Sequence, residues 1–102
     1  MSIKGQLNAS RDFLMAGMRA AARGSTPNQQ AERLMRACLD LVEHLARQSE
    51  NVTTSEVETT LGVMTRAAAE LEQDEAASAV LAAVRNAIGR MQTLRTEIAQ
   101  SK

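Results

Sequence analysis

Residues 26–48 read TPNQQAERLMRACLDLVEHLARQ, and this stretch decides the fold class. Pro27 suits a first helical position, Thr26 can cap the helix, and Gln29 completes a capping box three residues on. Ala31, Leu34, Cys38, Leu41 and Leu45 then recur at alternating steps of three and four, with Met35 and Val42 widening the stripe. That spacing predicts a helix over 27–48 with one face turned to a core. The polar side carries Glu32/Arg36 and Glu43/Arg47, both acid-first pairs one turn apart.

Toward the C-terminus a second start signal follows at once. Thr53 and Glu56 form another capping box, and Val52 and Val57 occupy the two positions of a hydrophobic staple. Val57, Leu61, Met64, Ala68 and Leu71 carry a helix over 54–72. Were that helix to run on, apolar residues would fall due at 75, 78, 82 and 85, where Glu75, Ser78, Ala82 and Arg85 stand. The stripe that does follow is Ala77, Leu81, Val84, Ile88, Met91 and Ile98. It is displaced by one residue, about 100° of rotation, which predicts a break at 72–75 and a new helix over 75–100 capped by Asp74.

Toward the N-terminus, residues 8–23 form an amphipathic helix stopped by Gly24 and joined through Ser25. Leu7, Leu14, Met18 and Ala21 lie on one side, with Lys4, Arg11, Arg19 and Arg23 on a neighbouring one. Short connections between helices of similar length imply antiparallel neighbours. The expectation is an all-α fold, a small three- or four-helix antiparallel bundle forming one domain over 1–102. Residues 1–24 either complete the bundle or act as an arm.

Composition agrees. The apolar fraction of 44 % suffices for a core in a chain of 102 residues, yet it is mostly Ala, Leu and Met, with Phe13 the only aromatic. Val, Ile and Phe together number ten, too few for a strand-rich fold. Gly17, Gly62 and Gly89 fall inside helices, costing about 1 kcal/mol each against Ala, and predict close approaches between helices or between subunits. Formal net charge is zero but uneven: residues 1–27 carry +3, 28–50 carry −1, 51–75 carry −5 and 76–102 carry +3. Opposite ends attracting within one bundle account for this more simply than a field that steers a partner.

Several functions are disfavoured on chemistry. Arg85, Arg90 and Arg95 spread around their helix, no aromatic residues serve base stacking, and the isoelectric point near 6.6 is not that of a nucleic-acid binder. The apolar runs 13–18 and 76–84 are too short for a signal core or a membrane span, so no membrane partner is expected and the cytoplasm is the expected compartment. Cys38 stands alone and on the apolar stripe, which makes it a packing residue. His44, with Asp40 one turn before it, is the sole histidine and lies off the stripe; no catalytic, cofactor or metal residues are assigned. The acidic group Glu70, Glu72, Asp74 and Glu75 lacks the pattern of a calcium loop.

The expected function is therefore a non-enzymatic protein–protein interaction module. Inhibitors, anti-activators, chaperones and assembly adaptors of this kind occlude a partner's surface with an amphipathic helix. Arg11, Phe13, Leu14, Met18 and Arg19 are the expected contact residues, with another protein as partner. A structural homo-oligomer is the alternative, since a small core without aromatics gains from sharing surface. A small helical enzyme with a site between subunits is a minor alternative.

Overall fold

The computed structural model describes residues 2–23, 28–48 and 51–100. These form four helices: α1 (Ile3–Arg23), α2 (Gln29–Gln48), α3 (Thr54–Gln73) and α4 (Ser78–Gln100). There is no strand among the described residues. α1 packs most extensively on α4 and next on α2, while α3 joins α4 to α2 and closes the ring. Gln6 meets Glu97 while Gly17 lies beside Ala83, so α1 and α4 run antiparallel; Ala21 meets Asn28 while Gly17 lies beside Met35, which sets the same sense for α1 and α2. The chain is an all-α, four-helix, up-down-up-down bundle.

Each helix boundary has a local cause. Ser2 caps α1, its Oγ accepting from the Gly5 N–H at 3.0 Å, so that helix begins five residues before the expected start at 8. Its inward face is partly polar: Gln6 and Ser10 are buried beside Leu7, Leu14, Gly17 and Ala21. These polar residues hide the helix start from an apolar pattern. Ser10 Oγ donates to the Ala87 carbonyl at 3.3 Å and Gln6 Nε2 to Glu97 Oε1 at 3.2 Å, while the buried Gln6 Oε1 has no partner among the described residues.

The cap of α2 is Asn28, whose Oδ1 accepts from the Ala31 N–H at 3.0 Å while its own N–H donates to the Ala21 carbonyl at 3.1 Å. The expected cap at Thr26, Pro27 at the first helical position and the Gly24-Ser25 joint lie outside the described residues. The α3 start is as expected. Thr53 is extended (φ −99°, ψ 157°), its hydroxyl accepts from the Glu56 N–H, and Glu56 Oε1 accepts in return from the Thr53 N–H at 3.0 Å. Val52 and Val57 are both buried, closing the staple.

The break between α3 and α4 is real, but Asp74 does not start the new helix. It ends the old one, and the ending is a Schellman motif. The Ala76 N–H donates to the Leu71 carbonyl at 2.9 Å and the Glu75 N–H to Glu72 at 3.2 Å, with Glu75 in the left-handed region at φ 54°. The fourth helix consequently begins at Ser78 rather than 75.

Its inward face is also corrected. Val80, Ala83, Val84, Ala87, Met91, Leu94 and Ile98 are buried, whereas Ala77 is exposed and Leu81 and Ile88 are half-buried. α2 turns in a similar way. Leu39 is buried on the flank toward α1, while Leu34 and Leu41 are only half-buried, because α1 covers α2 more fully than α3 does.

Of the three helical glycines, Gly17 alone marks a close approach within the chain. A Cβ there would lie 2.8 Å from Ala83 Cβ and would overlap the Met35 methyl. Gly62 and Gly89 face solvent, with nothing within 4 Å of an added Cβ. Across helices, the exposed Arg85–Glu72 pair at 3.1 Å between α4 and α3 offsets part of the unequal charge along the chain.

A candidate interaction face between the first two helices

The expected contact residues do not form one surface. Leu14 is fully buried in the core, so it holds α1 in the bundle and is not available to a partner. Phe13 and Met18 are half-buried and pack against the core, Arg11 is half-buried, and Arg19 is exposed. Five residues separate Phe13 from Met18, placing them about 140° apart around the helix. Met18 and Arg19 border α2, whereas Phe13 lies on the far side of Leu14.

Outside those five stands Met15, which with Met18 the sequence offers for an exposed contact because Met35, Met64 and Met91 lie on or beside core stripes. It is the one large apolar residue exposed among the described residues, at 38 %. One turn before it stands Arg11 and one turn after it Arg19. With Met18, Arg36, Leu39 and Glu43 it lines a groove of about 230 Å³ along the seam of α1 and α2. A shallow depression of about 560 Å³ continues from there across Met18, Gln29, Glu32, Arg33, Arg36 and Asp40. Met18 and Arg36 belong to both, so the two form one continuous face. Positions 11, 15, 18 and 22 share a side of α1; which side remains uncovered depends on where α2 and α4 sit.

The ionic side chains of this face are not spent on one another. Glu32 and Arg36, though one turn apart, make no ion pair, and neither do Glu43 and Arg47. Arg11 reaches only Asp12, at 3.8 Å, and its buried Nε has no acceptor. Arginine and carboxylate heads therefore line the groove unpaired.

The other chemically capable residues are dispersed. His44 is exposed and its Nε2 lies 2.9 Å from the Gln48 amide, not against Asp40. It borders a pocket of about 200 Å³ between α2 and α3, together with Leu41, Leu45, Glu56, Thr59 and Thr60. Glu56 has its pKa held below the ordinary carboxylate value of 4.5, chiefly by the Thr53 backbone N–H and then by the Thr53 hydroxyl. Cys38 is buried, and desolvation pushes its thiol up to about 11 despite a small opposing backbone hydrogen bond. Among the described residues no group of three or more His, Cys, Asp or Glu side chains is placed to hold a metal ion, and no helix is long and apolar enough to cross a membrane.

No protein family, curated protein or solved structure matches the chain.

Proposed function

We propose that the chain is a non-enzymatic protein-interaction module of the inhibitor, anti-activator, chaperone or adaptor kind, working in the cytoplasm by covering a protein surface with its α1–α2 face. The observation that carries the reading is Met15, an exposed apolar side chain at the rim of a groove otherwise lined by Met18, Leu39 and unpaired charges. Every other large apolar residue described is at least partly covered by the bundle. A thioether is flexible and polarizable, so methionines adapt to a partner's contour, and arginines around them supply directed hydrogen bonds. Arg11, Met18 and Arg19 remain in this reading as contact residues. Phe13 is peripheral to it and Leu14 acts from within the core.

The test is affinity purification of the tagged chain from its native host, in parallel with Met15→Glu and Met18→Glu variants whose circular dichroism remains helical. A stoichiometric protein retained by the native chain and lost by both variants is the expected result. Retention that does not depend on either methionine would overturn the assignment of this face.

A further inference from the structure

We infer that the α1–α2 face docks on the same face of a second copy, making a two-fold dimer with Met15 and Met18 near the axis. This rests on the reading of that face as an interaction surface and names its occupant. Charge selects it. The lining holds Arg19, Arg33 and Arg36 against Glu32, Asp40 and Glu43, equal numbers of each sign. None of the six forms an ion pair within the described residues. A strongly acidic or strongly basic partner finds no net field to favour it on such a surface. A copy of the same surface does find complementarity, because a two-fold axis brings residue i onto j and j onto i. From α1 the lining takes only the cation Arg19, with Arg11 nearby beside Asp12, while α2 supplies Glu32, Asp40 and Glu43 against Arg33 and Arg36, a net −1. Laying α1 over the partner's α2 therefore sets a net positive helix side against a net negative one on both sides of the axis, and the methionines meet in the middle.

Size supports a real though modest dimer. Two helices of about 30 Å lying side by side, each about 10 Å across, present about 600 Å² per copy. The total of about 1,200 Å² stands at the lower edge of stable interfaces and predicts dissociation in the micromolar range.

Sedimentation equilibrium of the purified chain tests this directly. The expected mass rises with concentration from 11.0 kDa to twice that value, and Met15→Glu raises the dissociation constant about 100-fold, as loss of a central anchor does. Orientation is read with Met15→Cys, whose thiol is accessible where Cys38 is buried. Under a mild oxidant it should cross-link into a dimer much faster than Gly62→Cys, which lies on the exposed side of α3. A mass of 11.0 kDa at every concentration overturns the dimer, as does a dimer indifferent to Met15→Glu or equal cross-linking at the two sites. Those failures are separable from failure of the docking reading: a monomer that still captures another protein through Met15 loses only the second copy, and one that captures nothing loses both.

Discussion

Placing one carbon on each of the three helical glycines sets a common gain against a cost that only one of them bears. Exchanging a helix-interior Gly for Ala is worth about 1 kcal/mol in backbone entropy and propensity. Gly62 and Gly89 have nothing within 4 Å of the added atom, so Gly62→Ala and Gly89→Ala should each stabilise by about 0.5–1 kcal/mol. At Gly17 the new methyl meets Ala83 Cβ at 2.8 Å, about 1 Å inside a comfortable carbon–carbon separation. It also meets the methyl of Met35, which can rotate but is fully buried with little room to move. Overpacking of this sort costs about 1–3 kcal/mol. Because one obstacle is the stub of a facing helix and not a flexible tip, the upper half of that range applies. Net of the propensity gain, Gly17→Ala should destabilise by about 1–2 kcal/mol. The three variants should therefore separate by about 2 kcal/mol in urea unfolding followed at 222 nm, or about 10 °C in melting temperature. All should be measured at one chain concentration, because association would shift the midpoint. A Gly17→Ala variant as stable as the other two would refute the tight approach of α1, α2 and α4 and the helix pairing built on it.

Glu75 holds a left-handed conformation that glycine adopts without penalty, and its side chain is exposed; Glu75→Gly should stabilise by about 0.5–1 kcal/mol in the same assay, and Glu75→Ala should not. Glu56 titrates below 4.5 when folded, so its contribution through the capping box is present above that value and fades as pH falls through the folded pKa. The stability deficit of Glu56→Ala relative to the native chain should accordingly be larger at pH 7 than at pH 3. Cys38, with its thiol pushed up to about 11, should resist iodoacetamide at pH 8 in the folded chain and react on unfolding in urea; rapid native labelling would contradict its burial. Leu14→Ala should cost about 3 kcal/mol, as a fully buried leucine does, while Met15→Ala next to it should stay within about 0.5 kcal/mol.

Start signals were legible wherever a side chain closes on its own backbone. Thr53 and Glu56 announce α3 because the capping box is a local device whose partners are three residues apart. The stop after Gln73 was legible only as a change of phase. Its mechanism was not, since the Schellman geometry places Glu75 where Gly is usual. The inward face of α4 is not legible in the sequence because alanines surround it: Ala79, Ala82, Ala83 and Ala87 fill several directions. Val80, Val84, Ala87, Met91, Leu94 and Ile98 then make as regular a stripe as the set led by Ala77 and Leu81. Only the neighbours choose between them, α1 covering the Ala83–Ala87 side through Gly17 and Ser10.

The same dependence on neighbours explains why the contact residues were drawn from three different environments. A helical wheel ranks side chains by direction and does not know which directions are roofed. On α1, burial centres between Leu14 and Gly17, so Phe13 borders one edge and Met18 the other. A core of Leu, Met, Val and Ala also reaches less far than one built on aromatics, and small side chains leave α1 and α2 joined with a groove along the seam. Met15 falls at that rim, and the Met18 and Leu39 side chains beside it leave it 38 % exposed. The scarcity of aromatics in the sequence, where Phe13 is the only one, and the uncovered methionine in the structure thus have one cause: a bundle closed by small side chains buries its axis and leaves a seam open.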